Sequence, residues 1–153
     1  MKPPTYSEAM LQPLATDALI EDRVAALVGR ACRRQLWFLF LDENQVQSPL
    51  LIPVADPPGT PDSSVPHLAR AIAVAMDSEN AASIIVVIER FADSTITASD
   101  TAWARALEDA SNELGVVVRS FLVSHRRGVR WLAPDDYRFA ATPAPGETGS
   151  GQG

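Results

Sequence analysis

The sequence predicts an α/β fold, a single-domain, three-layer-like sandwich with a small mixed sheet and helices on its faces. Three observations lead there. Residues 82–89 (Ala-Ser-Ile-Ile-Val-Val-Ile-Glu) form an unbroken apolar, β-branched run closed by charge at Glu89 and Arg90. A strand with no polar side must be covered on both faces, so this run is the central strand. Helix-period and strand-period segments alternate in the order α-ββ-α-β-α-ββ, and helices between strands imply crossovers. Short polar turns join two pairs of strands, which adds antiparallel edges.

Taken in order, residues 1–14 carry Pro3, Pro4 and Pro13 and read as a loosely docked arm. A helix starts at Thr16 or Asp17, either of which can cap it. Its apolar positions are Ile20, Val24, Leu27, Val28 and Ala31, and Arg30, Arg33 and Arg34 fall at its C-terminal end, where the helix dipole favours cations. Residues 36–41 are an aromatic-rich strand, 42–45 a polar turn and 46–54 a returning strand. Pro49 and Pro53 cannot donate to a ladder, so that strand belongs at an edge. Residues 56–64 form a loop, and Ser64 can cap a second helix with Pro66 in its first turn. Leu68, Ile72, Ala75 and Met76 make its buried stripe, and Asn80 suits a left-handed cap. After the central strand, Thr97-Ala98-Ser99-Asp100 is a capping box with Asp in place of the commoner Glu. The helix it opens carries Trp103, Ala106, Leu107, Ala110 and Leu114 on one face and is closed by Gly115. Residues 116–123 and 129–132 are strands joined by the turn His125-Arg126-Arg127-Gly128. One domain therefore spans 15–139, and the Pro-, Gly- and Ser-rich 140–153 reads as a disordered tail.

A chain of 153 residues with 46% hydrophobic and 21% charged residues suffices for one well-packed core. No apolar run approaches the ~20 residues of a bilayer span. Met1-Lys2-Pro3-Pro4-Thr5 lacks the apolar stretch of a signal peptide, so a cytoplasmic location without membrane contact is expected. The lone Cys32 excludes an internal disulfide and a cysteine-rich zinc site. Neighbouring arginines would favour its thiolate, although a small residue near a helix end is the simpler reading. The net charge of −6 speaks against nucleic-acid binding. Lys2 is the only lysine, and the arginine and alanine usage suits a high-GC bacterial genome.

No phosphate-binding Gly-rich loop and no Gly-x-Ser-x-Gly elbow occurs. His67 falls in the first turn of a helix and His125 at a hairpin turn. Ligand sites in α/β sheets sit at the carboxyl ends of strands, and Glu89, Arg90, Asp93, Ser94, Thr97, Ser99 and Asp100 fall there. A carboxylate cluster of Glu89, Asp93 and Asp100 would suit acid–base hydrolysis. Strand termination and helix capping account for the same residues. A second cluster, Arg119, Arg126, Arg127 and Arg130 with Trp131, suits a small anion, an acidic protein surface or a nucleic-acid backbone. The same charges would also blunt a sheet edge.

From Trp37 to Leu132 the layout resembles the RadC-like branch of the JAMM/MPN metalloprotease fold. Residues 84–88 match that family's buried strand, Thr97-Ala98-Ser99-Asp100 its Ser-x-x-Asp helix start, and Gly115-Val116-Val117-Val118 with the following hairpin its close. In the family the strand ends in His-x-His-Pro, and the two histidines bind zinc with the aspartate. Here Glu89-Arg90-Phe91-Ala92 stands in that place, and Asp100 is the one ligand position kept. A catalytic zinc needs three protein ligands, so the resemblance implies a metal-free relative. Short proteins of high-GC bacteria are similar as well, which adds no mechanism.

The expected function is a non-catalytic binding or scaffolding module for a protein partner or small anion, without cofactor or metal, and an edge strand could support a homodimer. The alternative is a hydrolase built on Glu89, Asp93 and Asp100.

Overall fold

Along the chain the elements are α1 (Asp17–Leu27), β1 (Gln35–Leu41), β2 (Gln47–Ala55), α2 (Ser64–Glu79), β3 (Ser83–Glu89), α3 (Ala98–Glu113), β4 (Val118–His125) and β5 (Gly128–Leu132), followed by a π-helical turn at Asp135–Phe139. They come from a computed structural model that describes residues 11–139. The tail expected over 140–153, and the expected arm up to residue 10, lie outside the described residues. Leu14 corrects the inner end of that arm: it is buried, and its N–H donates to the Gln45 carbonyl at 2.8 Å.

The strands form one mixed sheet in the order β2-β1-β3-β4-β5. β1 is antiparallel to β2 and β3, β3 is parallel to β4, and β4 is antiparallel to β5. The apolar run is thus the middle strand, and the proline-bearing β2 lies at an edge, as Pro49 and Pro53 require. Alternation along β3 feeds two cores. Ile84, Val86 and Ile88 pack with Ile72 of α2 and Trp103 and Leu107 of α3. Ile85 and Val87 pack with Ile20 and Val24 of α1. Each such burial contributes about 1.5–3 kcal/mol relative to exposure, which is why a strand apolar on both sides demands helices on both.

Local signals set most helix ends. The Thr16 hydroxyl accepts from Leu19 N–H, and Thr97 with Asp100 makes both halves of its capping box. Asn80 closes α2 at φ 55°, ψ 40°. At the start of α2 the expected cap is displaced: Ser64 is the first helical residue, Ser63 stands at the cap position without a side-chain cap bond, and the Ser64 N–H donates to Asp62 Oδ1 at 3.0 Å. α1 ends at Leu27, earlier than its periodicity implies, because the chain turns through Gly29 at φ 67°. Arg30, Arg33 and Arg34 therefore lie in the α1–β1 loop rather than on the helix end. Leu114 and Val117 are exposed, since α3 stops at Glu113 and β4 starts only at Val118. Among the described residues no helix is long and apolar enough to cross a membrane.

Candidate binding rim at the carboxyl ends of β3 and β4

Glu89 ends β3 on the side of Ile85 and Val87, facing the α1–β1 loop, and is 2% exposed. Its Oε1 accepts from Gln35 Nε2 at 2.7 Å and Trp37 Nε1 at 2.9 Å. Its Oε2 accepts from the backbone N–H of Cys32 at 2.8 Å and of Arg33 at 3.3 Å, with the Cys32 thiol at 3.5 Å. Burial opposes ionisation of this group, but the Cys32 N–H, Trp37, Gln35 and Arg33 N–H donors together outweigh it and hold its pKa below 4.5. Only an ionised carboxylate accepts at both oxygens from so many donors.

Arg90 turns to the opposite face. Its Nε donates to both Asp100 oxygens at 2.9 and 3.0 Å, and Nη2 donates to Oδ2 at 2.8 Å. Nη1 reaches the Asp93 carbonyl and Nη2 the Thr95 carbonyl, each at 2.7 Å. Asp100 is 1% exposed and also accepts the Thr97 N–H at 2.9 Å as part of the capping box. Arg90 thereby staples loop 91–97 to the start of α3. Asp93 is exposed; its Oδ1 accepts from Thr95 N–H at 2.9 Å. That backbone bond, with Arg126 and Arg90 nearby, lowers its pKa.

The acids Glu89, Asp93 and Asp100 are therefore not brought together. Glu89 and Asp100 lie on opposite faces of the sheet, each filled by internal donors, and Asp93 forms a surface turn. Nor do these residues fit a zinc ion. A guanidinium occupies the Asp100 carboxylate, and Glu89 is saturated by N–H donors. Among the described residues no three His, Cys, Asp or Glu side chains group to hold a metal. Histidine does not complete such a set: His67 is exposed beside Arg70 at 2.9 Å, and His125 is buried with Nδ1 accepting the Arg127 N–H at 3.2 Å. Burial, then Arg90 and Arg130, hold the His125 pKa below 6.5.

The arginine cluster divides. Arg126 and Arg127 are exposed at the β4–β5 turn, and the Arg126 guanidinium stands 6.0 Å from the ring centre of Phe91, itself 69% exposed. Arg130 Nη1 donates to the Ser94 carbonyl at 2.9 Å, bracing the same loop. Arg119 and Trp131 lie elsewhere. Arg119 pairs with Asp17 at 3.0 Å, and Trp131 Nε1 donates to Glu21 at 3.3 Å. β5 places Arg130 and Trp131 on opposite faces, as successive strand residues must be.

The rim gains two arginines that spacing alone does not assign to it. The Ala31 N–H donates to the His125 carbonyl at 2.9 Å, and the Ser124 hydroxyl to the Gly29 carbonyl at 2.6 Å. The Arg126 N–H donates to the Ala92 carbonyl at 2.9 Å. These bonds tie the α1–β1 loop, the β4–β5 turn and the start of loop 91–97 into one surface. Exposed Arg30, Arg33, Arg126 and Arg127 share it with Phe91. The available signal was the Arg30-Ala31-Cys32-Arg33-Arg34 run followed by a strand, with Gly29 just before it as a helix stop. No protein-family model and no curated protein matches the chain.

Proposed function

We propose that this protein is a non-catalytic binding module that engages an acidic protein surface through the rim of Arg30, Arg33, Arg126, Arg127 and Phe91. The observation that carries the reading is the convergence of exposed arginines from separate loops on a chain of net charge −6. Such a local positive field on an acidic protein attracts an acidic partner and steers its approach. Arginine also forms bidentate bonds to carboxylates, and an exposed ring beside it supplies apolar contact. Buried Glu89 and Arg90 act as fasteners here: one holds the loop bearing Arg30 and Arg33, the other the loop bearing Phe91. On this reading the chain is a metal-free relative of the metalloprotease-like fold it resembles, with the ligand positions converted to fasteners. The hydrolase alternative gains no support, because Glu89 lies on the face opposite Asp100 and both carboxylates are filled by internal donors.

The test is binding to a polyglutamate surface at low and high salt, for the native chain and for variants carrying Arg126→Ala with Arg127→Ala or Arg30→Ala with Arg33→Ala. Both variants should weaken binding about tenfold, and salt should abolish it. Undiminished binding by both variants would end the proposal. Binding of free glutamate as tightly as the polymer would point to a small anion instead.

A further inference from the structure

The charges of the molecule are sorted along the strand axis. At the carboxyl end of β3 the arginine rim stands on the α1–β1 loop and the β4–β5 turn. The surface acids at that end, Asp56, Asp62 and Asp93, are outnumbered by Arg30, Arg33, Arg34, Arg126, Arg127 and Arg130. The other end is acidic. Asp42 and Glu43 lie in the β1–β2 turn, Asp77 and Glu79 in the last turn of α2, and Glu113 at the last position of α3. Three bonds bring these segments onto one surface. The Ala82 N–H, just after α2, donates to the Leu41 carbonyl at 2.7 Å, and the Ser48 hydroxyl donates to Glu79 Oε1. The Ile84 N–H donates to the Val117 carbonyl, just after α3, at 2.9 Å. The arginines nearest this end are engaged: Arg23 is buried against Gln47 at 2.6 Å, and Arg119 pairs with Asp17 at 3.0 Å.

This placement is unfavourable for a lone chain. A helix C-terminus carries partial negative charge, which cations stabilise and acids oppose. Both α2 and α3 end at this surface, and neither has a basic residue in its last turn. Glu43, Asp77 and Glu113 are exposed. Leu114 and Val117 follow Glu113 in the chain and are 44% and 57% exposed. Acids beside exposed aliphatic groups are the counterpart of the rim, where exposed Phe91 stands by Arg126. One chain cannot join its own two ends, because the seven residues of β3 hold them roughly 23 Å apart.

We propose that the acidic partner of the arginine rim is a second copy of this chain, docked head to tail, with the rim of one copy on the Glu43, Asp77 and Glu113 surface of the next. The inference rests on the reading of the rim as a site for an acidic protein surface, and it names that surface. The two patches differ, so the contact is heterologous: each pair leaves one rim and one acidic end free, and copies add in a row. The rim arginines supply the cations that the ends of α2 and α3 lack, and Phe91 meets Leu114 and Val117. Symmetric pairing through β2 is disfavoured, since Pro49 and Pro53 blunt that edge.

The experiment is sedimentation velocity of the full chain at rising concentration, in low and high salt. At low salt the average mass should rise past that of two chains, and at high salt it should return to that of one. A rim variant, Arg126→Ala with Arg127→Ala, and an acid-end variant, Glu43→Gln with Asp77→Asn and Glu113→Gln, should each weaken self-association tenfold or more. All five positions are exposed, and an unchanged melting temperature checks that both variants keep the fold. Mixed in equal amounts, at a concentration where neither self-associates, the two variants should form a two-chain complex and stop there, because one native rim then meets one native acidic end. The acid-end variant should still bind polyglutamate as the native chain does. A native chain that binds polyglutamate but stays single up to about 1 mM would overturn the head-to-tail inference and leave the rim reading standing with a foreign acidic partner. A native chain that binds no polyglutamate would end the rim reading and this inference with it. Full self-association by the acid-end variant, or a mixture that forms no two-chain complex, would also overturn the inference.

Discussion

The two ends of the parallel pair β3–β4 treat buried polar groups in opposite ways. At the carboxyl end, Glu89 and Arg90 are nearly inaccessible, and each is surrounded by partners at 2.7–3.3 Å. At the amino end of β4, the Ser120 hydroxyl is buried without one, and Arg119 is engaged at a single point. A buried polar group stabilises a fold when its bonds are made and costs free energy when they are not. The first end therefore serves cohesion. The second leaves the cost of one buried hydroxyl uncompensated. An α/β sheet usually holds its ligand at the carboxyl end, and here the buried positions of that end, Glu89 and Arg90, are fasteners, which leaves the exposed arginines around them to meet a partner.

The contrast can be broken by mutation, beginning with the largest effect. Arg90→Met leaves Asp100 buried and stripped of its main partner, and should cost about 3–5 kcal/mol in urea unfolding. A cost below about 1 kcal/mol would mean that the staple across loop 91–97 is not structural. Glu89→Gln keeps the shape but turns an acceptor-only group into one that also donates toward N–H groups. A loss of about 2 kcal/mol is expected, since hydrogen bonds to a charged group are worth about 1.5–3 kcal/mol each.

The pH dependence sharpens the same point. The Glu89 carboxyl titrates below 4.5 in the folded chain, so the unfolded chain takes up that proton first. Its stabilisation is complete above 4.5 and is lost as pH falls through the folded value. His125 acts in the same direction at higher pH: it titrates below 6.5 when folded, so its contribution declines as pH drops under 6.5. Acid unfolding curves of Glu89→Gln should lack the steep loss below 4.5 and keep the shallower decline attributed to His125. An unchanged acid limb would show that Glu89 is not the group responsible.

At the amino end the sign reverses. Ser120→Ala removes an unsatisfied hydroxyl and should raise stability by up to about 1 kcal/mol, read as a higher urea midpoint. A loss of 1 kcal/mol instead would mean that the hydroxyl is satisfied in solution. The smallest effect is expected at the exposed tip: replacing Arg126 and Arg127 with Ala should change stability by no more than about 0.5 kcal/mol. A larger loss would make the stacking of Arg126 on Phe91 a part of the fold.

Much of the architecture was legible along the chain. The run at 82–89 announced a doubly covered strand, Pro49 and Pro53 announced an edge, and Thr97 with Asp100 announced a helix start. Each of these signals acts between near neighbours or through a periodicity of 2 or 3.6 residues. The candidate site was legible only in part. Arg126 and Arg127 were visible as a basic turn, but grouping them with Arg119 and Trp131 failed. Those side chains leave the β4–β5 hairpin at its other end, where Arg119 meets Asp17 across 102 positions of sequence. Arg30 and Arg33 read as the end of a helix because nothing local says that the loop after Gly29 docks on His125.

The order of strands and helices, the choice of the central strand and the acidic balance were settled by the linear chain, because residue type and spacing act locally. The direction in which each charge at the end of β3 turns, the joining of two arginine-bearing loops and the burial of the Ser120 hydroxyl without a partner were decided only by the tertiary structure. Glu89 meets its partners across 52 to 57 residues of intervening chain, and only the closed sheet brings groups so far apart into contact.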